Sequence, residues 1–229
     1  MKRLLPLLFL PLLFSFTFSP MSETIELKGE RKGAQFTIQN EGASNIAVEL
    51  TVKERVMDEE GKEELKDTND VSIFPPQIIV SPGVKRTIRV SYNGKDDIKM
   101  EKNYRVIAEQ LPLNVDEKNK SNTGIKMLMK YVAALYAAPD NTKSEIQLLS
   151  QTSNGKEMKL VIENKGGRHQ LINNPVIKFL HKGNKGEIKA SDLPGLAGEN
   201  ILAGHKRIFI IKTSKTIPED ARLELKFDE

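Results

Sequence analysis

The sequence predicts an all-β fold made of two tandem immunoglobulin-like β-sandwich domains, and three observations support this prediction. From Thr24 onward, short runs rich in Val, Ile, Thr and Tyr alternate with clusters of Gly, Asn, Asp and Pro, the pattern of strands joined by turns. No long stretch has helical periodicity. The two halves of the 229-residue chain also carry similar strand signals, which indicates two related domains.

The first domain is predicted over residues 16–139. Its candidate strands are ETIEL, AQFTIQN, NIAVELTVKER, VSIFPPQIIV, KRTIRVSY, NYRVIAEQLPL and a long final run, GIKMLMKYVAALYAAP, which begins at Gly124. About seven strands over roughly 120 residues is typical of an immunoglobulin-like sandwich. The stretches NEGASN and PGVK supply turns, because Gly adopts positive φ without steric cost and Asn tolerates it.

The second domain is predicted over residues 145–229, after a polar linker at 140–144. Two signals of the first half recur in it. FTIQNEG is echoed by LVIENKG, so that Asn40 and Asn164 are 124 positions apart. PGVKRTI is echoed by AGHKRIF, so that Gly83 and Gly204 are 121 positions apart. Two echoes at nearly the same offset favour a second sandwich over chance similarity of short strands.

The N-terminus has the layout of a secretory signal peptide, with Lys2 and Arg3 ahead of an apolar run at 4–14. This run is shorter than the roughly 20 residues of a spanning helix, and no second apolar segment follows, so we expect no membrane insertion of the mature chain. We expect cleavage after Ser15, which makes 1–15 the signal peptide. Ser19 is the alternative cleavage position.

The composition excludes several classes of function. The chain has no cysteine, and without Lys2 and Arg3 its 33 basic and 31 acidic residues give a net charge of +2, which does not suggest nucleic-acid binding. The charged stretch KERVMDEEGKEELKD is interpreted as a solvated loop or strand end without a function.

Motifs for catalysis or cofactor binding are missing from the sequence. His169, His181 and His205 do not stand at metal-ligand spacing and are expected at the surface. No nucleophile elbow, P-loop or dinucleotide fingerprint is present. We therefore predict a protein that is not an enzyme and that has no cofactor and no metal.

Several segments, in this order, resemble the periplasmic pilus-assembly chaperones of the PapD-like kind. They are FSPMSETIEL, FTIQNEG, FPPQIIVSPGVKRTIRVSY, NYRVIAEQLPL and IKMLMKYVAALYAAP, and the likeness continues more weakly through ENKGGRHQLIN and ILAGHKRIFII. The details are most similar to the archaic branch of the chaperone-usher family. The resemblance implies two immunoglobulin-like domains set at an angle, a periplasmic location, and pilus subunits and an outer-membrane usher as partners.

The long run at 123–139 allows two interpretations. Ile125, Met127 and Met129 alternate with Lys126 and Lys130, so that the apolar row either faces the domain's own core or forms an exposed edge. The resemblance favours the second interpretation, because members of that chaperone family lend this strand to incomplete pilus subunits. Ile125, Met127 and Met129 are then the donor side chains, and the free protein can self-associate through the same strand. The segment VAALYAA is apolar on both faces and is expected to be buried.

The resemblance also implies basic side chains that hold the C-terminal carboxylate of a subunit in the cleft between the domains. The arginine usual in the early strand has no counterpart here, because FSPMSETIEL contains no Arg or Lys. Arg105 and Lys130 are therefore assigned as the anchor, with Lys126 in reserve. The alternative function is that of a secreted or periplasmic structural or adhesive protein with two β-sandwiches and no chaperone activity.

Overall fold

A computed structural model describes residues 16–28, 32–113, 127–218 and 221–228. Seventeen strands and one short 3-10 turn, but no α-helix, occur in these ranges. The first ten strands form one unit: β1 (Phe16–Ser19), β2 (Ser22–Glu26), β3 (Gly33–Asn40), β4 (Ile46–Met57), β5 (Glu63–Lys66), β6 (Val71–Phe74), β7 (Gln77–Val80), β8 (Lys85–Tyr92), β9 (Lys102–Leu111) and β10 (Lys130–Ala138).

The first domain is a sandwich of two sheets. One sheet has the order β1-β3-β8-β6, and the other has the order β2-β10-β9-β4-β5, with β7 also paired to β4. Alternating side chains of both sheets form a single apolar core, as in β8, where Ile88, Val90 and Tyr92 are buried and the residues between them are exposed. This arrangement confirms the predicted fold class for the first half.

The chain from 139 to 145 contains no strand and includes the predicted linker. The second domain then has smaller sheets, β11-β16, β12-β15 and β14-β13-β17, around a core of its own. Its strands are β11 (Ile146–Asn164), β12 (Gln170–Leu171), β13 (Asn173–His181), β14 (Asn184–Ile188), β15 (Asn200–Ile201), β16 (Lys206–Ile217) and β17 (Arg222–Asp228), with the 3-10 turn at Ala190–Asp192.

The asparagine echo has a structural counterpart in both domains. Asn40 is fully buried, donates from Nδ2 to the carbonyls of Ser44 and Val80, and accepts the Gly42 N–H at Oδ1. Asn164 is equally buried and holds the corresponding turn, with bonds to Arg168, Ile201 and Gly166. A buried amide that bonds two backbone segments needs all of these partners. The same device therefore ties two strands together in each sandwich.

The glycine echo marks the partner loop of each asparagine. Gly83 and Gly204 have φ of 72° and 70°, which is the left-handed region that favours glycine. The N–H groups of the two asparagines donate to the carbonyls of the residues that follow these glycines, Val84 at 3.1 Å and His205 at 2.9 Å. The repeat inferred from sequence is thus a repeat of structure.

Candidate functional site

A cleft of about 430 Å³ lies where the two sandwiches meet. β4, β9 and β10 of the first domain line one side of it, and the loops around β12 and β15 of the second domain line the other. Arg55, Glu63, Arg105 and Tyr136 of the first domain face His169 of the second across this space. The cleft therefore collects charged and aromatic side chains of both domains.

Arg55 and Arg105 are brought together by the register of two neighbouring strands. Arg105 on β9 is opposite Lys53 on β4, so Arg55, two residues further along β4, is its diagonal neighbour on the same face of the sheet. Glu63 reaches both groups from the start of β5. Its Oε1 accepts hydrogen bonds from Arg105 Nη2 at 2.5 Å and Arg55 Nη2 at 2.6 Å, and its Oε2 accepts one from Arg105 Nε at 3.0 Å.

The charges of this cluster do not cancel. The side chains of Arg55 and Arg105 are 4% and 18% exposed, and two guanidinium groups share one carboxylate. Burial raises the pKa of Glu63, but the hydrogen bond from Arg105 and the charge of Arg55 outweigh this effect and hold that pKa below its usual value. Among the described residues, the buried Nε of Arg55 has no hydrogen-bond partner. The cluster therefore keeps one excess positive charge and one unused donor.

Polar contacts between the domains fix the walls of the cleft. His169 Nδ1 lies 2.9 Å from both carboxylate oxygens of Glu101, and its ring stacks on Tyr136 with centroids 3.8 Å apart. Asn200 Nδ2 donates to the hydroxyl of Tyr136 at 2.8 Å. The prediction of a surface position for His169 was wrong, because its turn folds back onto the first domain and leaves the side chain only 25% exposed.

The donor segment is not one long strand in this structure. Ile125 and Lys126 lie outside the described residues, and β10 begins only at Lys130, so the prediction of strand structure for 127–129 was wrong. Met127 is 76% exposed, whereas Met129 packs partly against the core of the first domain. Next to β10, a backbone hydrogen bond still links this segment to β9, since the Gln110 N–H donates to the Met129 carbonyl at 2.9 Å.

The two edges of β10 are occupied differently along its length. β9 pairs with it from Lys130 to Ala137, whereas β2 runs parallel to it only at 134–138. Within the described part of the chain, no strand pairs with 130–133 on the β2 side. This short edge, together with the exposed side chains of Met127 and Leu128, is called the open end of β10 below.

Lys130 lies away from the cluster formed by Arg55, Glu63 and Arg105. Its Nζ pairs with Glu109 at 2.7 Å, and both side chains are about half exposed. Arg105 is opposite Ala134, four residues further along β10, a separation of about 13 Å at the usual rise of a strand. The structure therefore does not bring the predicted pair Arg105 and Lys130 together. It places Arg55, from the charged stretch that was given no function, beside Arg105.

Two findings concern metal sites and membrane spans. No cluster of three His, Cys, Asp or Glu residues that could hold a metal ion is found among them. None of their helical segments is long and apolar enough to cross a membrane. The predicted signal peptide, 1–15, lies outside the described residues.

One comparison with known proteins, a match to a family model, identifies a family. Residues 18–143 match the family model of the pili and flagellar-assembly chaperones, PapD N-terminal domain. A search of curated proteins found no match.

The solved structures that resemble the chain have low sequence identity to it. One belongs to the CsuC–CsuE chaperone and tip adhesion subunit pre-assembly complex of the archaic chaperone-usher Csu pili of Acinetobacter baumannii, with a TM-score of 0.60, 16% identity, and coverage of 86% of this chain and 90% of that one. The class 5 fimbriae chaperone CfaA matches with a TM-score of 0.58, 17% identity, and coverage of 93% and 100%. The complex of the Salmonella enterica SafA pilin and SafB chaperone gives 0.58, 15%, and coverage of 88% and 85%.

Proposed function

The chain belongs to the family of pili and flagellar-assembly chaperones, and from this we propose that it binds incomplete pilus subunits in the periplasm and delivers them to an outer-membrane usher. This family acts by chaperoning and not by catalysis. The proposed reaction is a binding cycle. A subunit is held along β10 and in the interdomain cleft until the usher accepts it.

The cluster of Arg55 and Arg105 carries this proposal. Two guanidinium groups that converge in a cleft with one excess positive charge suit a carboxylate that arrives from outside. The C-terminus of a subunit is such a group. Arg55 replaces Lys130 as the partner of Arg105 in our assignment, because Lys130 is about 13 Å away along the strand and is paired with Glu109.

The open end of β10 supports a second contact with the subunit, in which β10 is added as a strand to the subunit's sheet. A strand with a free edge can add a strand of another chain through backbone hydrogen bonds, while its exposed side chains fill pockets in that partner. Met127 and Leu128 are exposed here, and the unbranched, polarizable Met side chain adapts to pockets of different shapes. We include Ile125 and Met129 as donor side chains, with Met129 turning away from its own core on binding. The same exposed edge is the surface through which the free protein would self-associate.

Export to the periplasm is part of the proposal. Cleavage after Ser15 retains β1, in which Phe16 and Phe18 are buried in the core, whereas cleavage after Ser19 removes both aromatic side chains. We therefore favour Ser15. N-terminal sequencing of the protein from a periplasmic extract tests this, and recovery of an uncleaved chain from the inner membrane would contradict export.

Affinity purification of the tagged protein from periplasm, with mass spectrometry of what stays bound, tests the function. We expect pilus subunits with the wild type and their loss with Arg55→Ala or Arg105→Ala. Arg89→Ala, an exposed arginine on β8 in the opposite sheet, is the matched control and should keep the subunits. Lys130→Ala should also keep them. Subunits retained by both cleft variants would contradict the anchor, and a wild type without any pilus subunit would contradict the chaperone function.

A further inference from the structure

We propose that Glu63 is an internal occupant of the carboxylate site, which fills it in the free protein and gives way when the C-terminal carboxylate of a subunit binds. This inference rests on the proposed function of Arg55 and Arg105. It adds a regulatory contact to that site, since the chain supplies its own competitor for the ligand.

The geometry of Glu63 is that of a bound ligand. Its two oxygens engage Nε and Nη2 of Arg105 at 3.0 and 2.5 Å, which is the two-pronged arrangement that a free carboxylate adopts on one edge of a guanidinium. The same Oε1 takes the Nη2 donor of Arg55 at 2.6 Å. A subunit carboxylate that seeks this edge of Arg105 therefore meets a carboxylate already in place.

Glu63 also acts through its charge. With Glu63 ionised, the two arginines retain a net charge of +1, and without it they would present +2 in a partly buried site. Attraction between charges is stronger away from bulk water, so removal of the carboxylate should strengthen the binding of any anion there. Removal of the carboxylate also frees the edge of Arg105 that it occupies, and this should strengthen the binding of an anion as well. A residue that only positioned the arginines would have the opposite effect, because its loss would disorder the site and weaken binding.

The location of Glu63 allows it to leave the site. It is the first residue of β5, a four-residue strand at the edge of its sheet that pairs with β4. Its side chain keeps 29% exposure towards the cleft, so a rotation about its own side-chain bonds can move the carboxylate into water. The core of the domain need not change.

The turn before Glu63 connects this site to the second domain. The carbonyl of Glu59 accepts a hydrogen bond from the Ile208 N–H at 2.7 Å, and Gly61 lies so close to Arg207 that a Cβ there would be 2.2 Å from Nη2. The β4–β5 hairpin is therefore held at its tip by one domain and at its base by the other.

A peptide-binding experiment with the mature protein tests the inference. The probe is a synthetic eight-residue peptide of alternating Val and Thr with a free C-terminal carboxylate, and its amidated twin reports binding that does not use the carboxylate. We expect Glu63→Gln to bind the carboxylate peptide about tenfold more tightly than the wild type does, which corresponds to about 1.4 kcal/mol. The variant and the wild type should bind the amidated twin with the same affinity.

The neighbouring residue supplies the matched control. Glu64→Gln changes the net charge by the same amount on the same strand, but Glu64 pairs with Lys66 at 3.8 Å and not with the arginines, so its affinity should equal that of the wild type. Glu63→Asp keeps the charge and shortens the reach by one methylene. It should bind more tightly by a smaller factor, and it serves as the test if Glu63→Gln does not fold.

The outcomes separate the two proposals. Weaker or unchanged binding of the carboxylate peptide by the Glu63 variants, with a wild type that still prefers this peptide to the amide, would overturn the internal occupant alone. A wild type and variants that all bind the two peptides equally would contradict the carboxylate site itself, and the internal occupant with it.

Discussion

The two ends of β10 differ in their neighbouring strands and in the burial of their side chains. At 134–137 the strand lies between β9 and β2, and every side chain from 134 to 138 is buried. At 130–133 it pairs with β9 alone, and Lys130 and Val132 are exposed. Both ends are rich in apolar residues, so composition does not explain the contrast. The neighbouring strand does, because β2 begins only at Ser22, opposite Ala134.

Under the proposed function, one strand serves both the fold and a partner. The buried end contributes to the stability of the free protein, whereas the open end contributes little to it and is available for binding. Mutations at the two ends should therefore separate stability from subunit capture.

The largest effect is expected for Leu135→Ala, which removes a fully buried side chain from the core. Such changes cost about 2–5 kcal/mol, because transfer energy is lost and a cavity remains. Leu128→Ala is the matched control at the open end, where the leucine is 49% exposed, and it should cost less than about 0.5 kcal/mol. Urea unfolding measures both values. Equal destabilisation by the two variants would erase the contrast between the ends.

The next largest effect on the free energy of unfolding is expected from removing a cation near one end of β10, Arg55 near the buried end or Lys130 at the open end. Arg55→Ala removes a charge-assisted hydrogen bond in the cleft, and we expect a cost of about 1.5–3 kcal/mol. Lys130→Ala removes a half-exposed ion pair with Glu109, which is worth about 0–1 kcal/mol. Chemical denaturation of both variants checks the ranking. A larger cost for Lys130→Ala would place the structural ion pair at the open end.

A pH dependence is expected for the cluster beside the buried end. The pKa of Glu63 is lower in the folded than in the unfolded chain, so its contribution is fully present above the unfolded pKa and is lost as the pH falls through the folded pKa. The wild type should therefore be more stable than Glu63→Gln at pH 7, and the difference should vanish in acid. Thermal melts of both proteins over a pH series measure it. A difference that stays constant with pH would show that the ionised carboxylate is not responsible.

The smallest effect on stability is expected for Met127→Asp, because this side chain is 76% exposed in the free protein. We expect a change within about 0.5 kcal/mol. Subunit capture should nevertheless be lost, since a carboxylate cannot enter an apolar pocket without a partner. A thermal melt and a co-purification of the same variant check the two statements. A strongly destabilised Met127→Asp protein would instead place Met127 in the domain's own core.

The sequence predicted the fold better than the site because strand patterns are local. Alternating apolar residues and the turns at Asn40 and Asn164 report burial and backbone bonding within a few residues, and both were interpreted correctly. β1 was missed, since Phe16–Ser19 directly follows the predicted signal peptide and shares its apolar composition. The long strand predicted from Gly124 begins at Lys130, because alternation alone does not provide a neighbour on both edges.

The cleft cluster depends on contacts that no local pattern reports. Arg105 was chosen from its motif, but Arg55 and Glu63 were passed over because KERVMDEEGKEELKD has the composition of a solvated surface. The second domain covers part of this stretch, and the β4–β5 pairing brings Glu63 back towards Arg55. One signal was present in the sequence. Arg55 lies at the end of the predicted strand NIAVELTVKER, where a neighbouring strand could supply a second arginine.

The polar contacts between the two domains determine whether the domains unfold together on heating. Each apolar core is made of residues from one domain, whereas the contacts between the domains include the ion pair Glu26–Arg168, the contact of His169 with Glu101, and the stacked rings of His169 and Tyr136. Dissolved salt screens the exposed ion pairs but leaves apolar burial intact. Salt should therefore lower the cooperativity with which the two domains melt. A calorimetric trace with one heat-absorption peak in dilute buffer should broaden or split into two as salt is added, because each sandwich keeps its own core.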